Sequence, residues 1–202
     1  MVTPVSMPWE LPASGPAAIF ADRLQAMLPV LDTPRLTLRA PKIDDFATYA
    51  AIMGSDRAVH MDGPMSREDA YLDFTCAVAG WFLRGHGLWT VLRKDTGAVA
   101  GFVLVNMEPG DQEPELGFFL TPDAEGHGFA AEAAKAARDH ALETLRLDRL
   151  VSYVAPGNDR SARLAETLGA FRDEVAEAAI DHACHVYRHA PAGGDGGMEA
   201  YV

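Results

Sequence analysis

The stretch EPELGFFLTPDAEGHGFAAEAAKAARDHALE, residues 113–143, carries the strongest structural signal in the chain. Leu116, Phe118, Phe119 and Leu120 form a short apolar run closed by Thr121-Pro122-Asp123, which predicts a buried strand and a turn. Beyond Phe129 the residues are strong helix formers, predicting a helix from about Ala130 to Leu145. Gly126 and Gly128 flank His127 between the two. Glycine at alternate positions lets backbone approach a ligand closely, and the first helical turn offers N–H groups with no partner inside the helix. Such a terminus suits a phosphate or pyrophosphate. A tight turn in which glycine only relieves crowding fits the same residues. The dinucleotide fingerprint does not, because Ala131 stands at its third glycine and no suitable acidic residue closes the next strand.

Upstream, Arg35 to Ala40 alternates polar and apolar residues, which predicts a half-exposed strand. Asp44 and Asp45 open a helix through Tyr49 and Met53, stopped at Gly54, and 56–65 reads as a loop. Ser66 with Asp69 resembles a capping box and starts a helix to about Arg84, with Tyr71, Phe74, Val78, Trp81 and Phe82 facing a core. Leu88–Leu92 and Val99–Val105 read as a hairpin turning at Lys94-Asp95-Thr96-Gly97. Downstream come a strand over Leu150–Ala155, a turn at Pro156-Gly157-Asn158-Asp159 and a short helix from Ser161 to Leu168. Phe171–Glu177 and Ala183–Arg188 read as a closing hairpin. The expected fold is α/β: one mixed, mostly antiparallel sheet of about seven strands with helices on both faces. Three regions follow: an extension over 1–30, proline-rich and loosely packed to residue 15, with a helix from Pro16 to Leu28; a domain over 31–190; and a glycine-rich disordered tail over 191–202. Ile19, Phe20, Leu24, Met27 and Leu28 give that first helix an apolar side, which either folds back on the domain or joins a homodimer.

At 202 residues the chain is the size of one domain. A net charge of −12 supplies no basic stripe and argues against nucleic-acid binding. The most apolar helix candidate, Phe74 to Leu83, is too short to span a membrane, and no signal peptide is supported. Cys76 and Cys184 lack motif spacing and read as two buried, reduced thiols of a cytoplasmic protein. No metal site is expected. His182 and His185 would point to opposite faces of a strand, and His185 and His189 would stand about 13 Å apart along it.

From about Leu31 to Ala190 the chain resembles the Gcn5-related N-acetyltransferases (GNAT), in the branch of the ribosomal-protein N-terminal acetyltransferases. Four segments carry the likeness in order: Thr33-Pro34-Arg35-Leu36-Thr37-Leu38-Arg39; Gly63-Pro64-Met65-Ser66-Arg67-Glu68-Asp69-Ala70; Glu115-Leu116-Gly117-Phe118 leading into Gly126-His127-Gly128-Phe129-Ala130-Ala131-Glu132-Ala133; and Asn158-Asp159-Arg160-Ser161 with Leu168-Gly169-Ala170. The resemblance implies acetyl-CoA as donor and a small-molecule or peptide amine as acceptor. It places the pyrophosphate on the backbone of Gly126, His127, Gly128, Phe129 and Ala130. The pantetheine arm would run along Phe119, Leu120 and Thr121, with Asn158 beside it. Two strands, those containing Phe118 and Tyr153, would splay to admit the arm, with a bulge at Gly117. Glu125 departs from the family, whose loop commonly begins with arginine or glutamine.

Acyl transfer to an amine needs a base for the ammonium proton, a donor for the oxyanion and a proton for the thiolate. Glu115 is the candidate base; a surface strand position explains it equally. By resemblance Ser161 is the candidate acid toward the thiolate, although a helix cap would also use it. Ala165 stands where many family members carry a tyrosine. The oxyanion donor would be a backbone N–H near Phe119. His60 and Asp62 lie in the loop where the family's acceptor pocket is often lined, although a plain surface loop also accounts for them. A catalytically silent acyl-CoA-binding module is the competing reading.

Overall fold

The computed structural model describes residues 7–61 and 63–190; the glycine-rich tail and Asp62 lie outside them. Alternation along the central strands decides which helix covers which face. In chain order the elements are α1 (Gly15–Gln25), β1 (Leu31–Asp32), β2 (Leu36–Arg39), α2 (Phe46–Met53), α3 (Arg67–Arg84), β3 (Leu88–Arg93), β4 (Val99–Asn106), β5 (Glu115–Leu120), α4 (Phe129–Asp139), β6 (Val151–Val154), α5 (Asp159–Thr167), β7 (Phe171–Arg172), α6 (Glu174–Glu177) and β8 (His185–Arg188). The strands form one sheet in the order β1-β2-β3-β4-β5-β6-β8-β7. Only the β5–β6 pair is parallel. The sheet has eight strands because Leu31–Asp32 pairs with β2, one more than the periodicity indicates.

On β4, Val103 and Val105 pack with Ala133, Ala134 and Ala137 of α4, whereas Phe102 and Leu104 pack with α2 and α3. Small side chains on α4 let that helix lie close to the sheet. Trp81 and Trp89 meet edge to face at 4.5 Å, and each indole N–H donates to a backbone carbonyl, of Leu88 and Pro29 respectively. Burial of such large rings contributes on the order of 2 kcal/mol or more apiece.

Several expectations are corrected. The helix after the glycine loop is regular only to Asp139 and continues as a π turn over His140–Thr144. The last hairpin is short, because Asp173 caps a turn of helix at Glu174–Glu177 by accepting the Ala176 N–H. The segment 56–65 contains a 3-10 turn, Asp56–His60, capped by Ser55. Phe82 is 63% exposed, off the stripe that buries Phe74 and Trp81. Cys76 is exposed and Cys184 half-buried, both as free thiols. Trp9 and Glu10 are anchored, Trp9 edge-on at 4.6 Å from Tyr71 and Glu10 buried against Arg67. By contrast α1 buries no side chain fully, and Ile19 and Phe20 are exposed.

Candidate active site: a cleft where the sheet opens

β5 and β6 pair at Glu115↔Val151 and then diverge. Side chains take over where the backbone ladder ends. The Ser152 hydroxyl donates to the Leu116 carbonyl at 2.7 Å, and the Tyr153 N–H donates to the Glu115 carboxylate at 3.4 Å. Ser152 Oγ also lies 3.0 Å from Nε2 of buried His189. With the hydroxyl proton committed to Leu116, Nε2 is the donor in that contact. Burial, and then the nearby Arg138, hold the His189 pKa at about 4, so the ring is neutral at physiological pH.

The gap widens into a cleft of about 1050 Å³ lined by β5, β6, the start of α5, the Asp56–His60 turn and the loop after β4. Peptide direction alternates along β5. The Thr121 N–H bonds Ala100 of β4, while the Leu116 carbonyl faces β6. The peptide groups of Phe119 and Thr121 therefore face β4, and those of Phe118 and Leu120 face the cleft. Of the three residues expected along the pantetheine arm, the strand presents only Leu120 by its backbone, and it adds Phe118. No bulge occurs at Gly117, since β5 keeps unbroken register with β4 from Glu115↔Asn106 to Leu120↔Gly101. Gly117 serves close packing instead: a Cβ there would meet the Leu104 side chain at 3.3 Å. The register shift falls in β3, between Val91 and Leu92.

Gly126 and Gly128 both take left-handed backbone, at φ 76° and 78°, and Gly128 begins α4 with no side-chain cap. The first-turn amides of α4 are thus left to an outside acceptor. The loop is held from behind. Arg35 Nη1 donates to the His127 carbonyl at 2.8 Å, and Arg35 Nε donates to Glu132 at 2.7 Å. Its guanidinium also sits 4.7 Å from the centroid of the Phe129 ring. Thr33 adds a 2.6 Å bond to Glu132. Burial opposes ionisation of Glu132, but Thr33 and Arg35 together hold its carboxyl below the usual range. These bonds turn Glu132 away from the uncapped amides.

Glu115, Ser161, Asn158, Phe119, Leu120 and Ala130 line the one cleft; Thr121, Gly126, His127, Gly128 and Phe129 do not, the His127 ring lying 5.6 Å from that of buried Phe129. Asn158 caps α5 by accepting the Ser161 N–H at 3.2 Å, which leaves the Ser161 hydroxyl outside the cap. Ala165 is buried. His60 also lines the cleft.

Sequence reasoning missed the other end. Tyr49 donates to Asp73 at 2.6 Å, and burial together with Asp73 drives the phenol pKa far above its ordinary value. Glu108 and Asp111, on the loop after β4, line the same cleft, and burial raises the Asp111 pKa. Tyr49 sits among packing residues of α2, so helical spacing alone conceals it. Glu125 accepts from both Arg57 and Arg160. Among the described residues no group of three or more His, Cys, Asp or Glu could hold a metal ion, and no helix is long and apolar enough to cross a membrane.

This geometry is that of an acyl-CoA N-acyltransferase fold, and the comparisons agree. Residues 35–170 match the acetyltransferase (GNAT) domain family, and the chain belongs to that family. The uncharacterized N-acetyltransferase p20 of Bacillus licheniformis is 30% identical over 145 residues, covering 68% of this chain and 80% of the relative. The crystal structure of an acetyltransferase from Agrobacterium tumefaciens str. C58 superposes with a TM-score of 0.76 at 40% identity, covering 81% and 95% of the two chains. The ribosomal L7/L12 α-N-protein acetyltransferase RimL, in complex with coenzyme A, shares the fold at a TM-score of 0.65 and 17% identity, covering 81% and 98%. The protein is an N-acetyltransferase.

Proposed function

We propose that the protein transfers an acetyl group from acetyl-CoA to a primary amine, either a protein N-terminal α-amine or a small-molecule amine, held at the acidic end of the cleft. The observation that carries this reading is the opening between β5 and β6, with an uncapped glycine loop at one end and carboxylates at the other. The residues fit the coenzyme: a cleft of about 1050 Å³ lined by strand edge and arginines, and reaching Glu125 and Ala130 on either side of the glycine loop, is large enough and chemically suited. When bound, acetyl-CoA supplies the acetyl thioester.

The loop amides of Gly126, His127, Gly128, Phe129 and Ala130 hold the pyrophosphate. The peptide groups of Phe118 and Leu120 line the pantetheine arm, and the Phe118 N–H is placed to donate to the developing oxyanion. Asn158 holds the first turn of α5 against the arm through its cap. Asp73 and Glu108 act on Tyr49, Asp111 lies on the same loop as Glu108, and all three line this end of the cleft, where an ammonium group is stabilised. Glu115 takes the ammonium proton, directly or through water, and the Ser161 hydroxyl donates a hydrogen bond to the departing sulfur. Deprotonation at pH 7 costs about 1 kcal/mol for an α-amine and about 4.6 for a lysine-type amine, so one carboxylate serves the first more readily.

Thiol release from acetyl-CoA tests the reading across free peptide N-termini, diamines and N-acetylated peptides. Release that requires a free amine supports it. Bound acetyl-CoA with no release for any amine contradicts it.

A further inference from the structure

The chain carries a net charge of −12, yet the function proposed above, on which this inference rests, has its cleft take a polyanionic coenzyme. Among the described residues the arginines lining the cleft are Arg57, Arg160 and Arg163. Two of them converge on a single carboxylate. Arg57 Nη2 donates to Glu125 Oε1, and Arg160 Nη1 donates to Oε2 at 3.2 Å. Arg57 belongs to the Asp56–His60 turn and Arg160 to the first turn of α5. Glu125 immediately precedes Gly126. A carboxylate therefore stands at the entrance to the glycine loop, between guanidiniums from two separate elements.

Two guanidiniums sharing one carboxylate keep a net positive charge. A phosphate offers more charge and more acceptor oxygens than a carboxylate, and guanidinium matches it bidentately. The Arg57 and Arg160 side chains are 33% and 70% exposed. Ion pairs this open to solvent are weak and exchange readily. We propose that Arg57 and Arg160 grip a phosphate of the coenzyme, and that Glu125 is the resident counter-ion which that phosphate displaces. Glu125 then sets coenzyme affinity by competing for the arginines. Its negative charge before the loop is tolerated because the pair neutralises it whenever the phosphate is absent.

Calorimetric titration of coenzyme A into the parent, Glu125→Gln, Arg160→Ala and the double variant, over a series of salt concentrations, tests this. Pantetheine serves as the phosphate-free probe and dephospho-coenzyme A identifies the phosphate. Glu125→Gln should tighten coenzyme A roughly fivefold or more and steepen its salt dependence. Arg160→Ala should weaken binding, the double variant should lose the gain, and pantetheine should not distinguish the four. A gain that persists with dephospho-coenzyme A assigns the grip to the pyrophosphate; a gain that disappears assigns it to the 3′-phosphate. If the parent binds coenzyme A and Glu125→Gln binds it equally or less tightly, the displacement is wrong and the enzymatic reading survives. If no variant binds coenzyme A, both fall together.

Discussion

Glu115 stands at the last residue of β5 that pairs with β6, and its carboxylate accepts the Tyr153 N–H that the parting strands leave without a ladder partner. That position makes it part of the hinge of the cleft and a candidate base in one side chain. Glutamine keeps the shape and an acceptor for Tyr153 but cannot take a proton. Glu115→Gln should lower kcat about a hundredfold, with the melting temperature and the coenzyme Kd nearly unchanged. Equal loss in kcat and coenzyme affinity would instead mark it as structural. Ser161→Ala should cost less than about tenfold, because the Asn158 cap survives and serine is too weak an acid for full proton transfer. A larger loss would make its hydroxyl the principal proton source. That both residues line the cleft was legible in the sequence, because they flank motifs. The contacts of Asp73, Arg57 and Arg160 were not, because they depend on which elements meet across the cleft.

At the scale of elements, the glycine loop depends on the turn that leads into β2. Arg35 bonds the His127 carbonyl and Glu132 and covers the Phe129 ring. The sequence shows Thr33-Pro34-Arg35 and the helix containing Glu132 as separate landmarks. Nothing in their spacing says that residues 97 apart touch. Arg35→Ala should loosen the loop, weakening coenzyme A about tenfold and lowering stability by about 1 kcal/mol. Arg35→Lys should recover the stability better than the binding, since lysine cannot reproduce the fork. Unchanged binding in both variants would mean the loop holds its shape unaided. Alternation and turn chemistry read the central strands, α3 and its Ser66 cap correctly. They failed at the last hairpin, where Asp173 supplies a helical cap inside what reads as a strand, and at Gly117, where tertiary packing against Leu104 replaces the expected bulge.

Across the whole molecule, acid stability follows from buried His189 and from the carboxylates paired with Arg188. His189 is neutral when folded, with a pKa of about 4 against an ordinary 6.5. The unfolded chain therefore binds the extra proton below pH 6.5, and this contribution to stability declines between pH 6.5 and 4, by about 3 kcal/mol at pH 4. Glu113 and Asp173, both bonded to Arg188, act in the same direction at lower pH, because their folded pKa values lie below the ordinary carboxylate range. Urea unfolding of the parent and His189→Gln from pH 7.5 to 4.5 should show a shallower decline in the variant. Parallel curves would exclude His189 as the source.

The central claim is that the opening between β5 and β6 takes acetyl-CoA, and its direct measurement is the thermal shift of the full chain with acetyl-CoA beside an ADP control. At about a hundredfold excess over Kd, binding should add roughly 2.7 kcal/mol and raise the melting temperature by about 5–10 °C. No shift at millimolar acetyl-CoA would contradict the account.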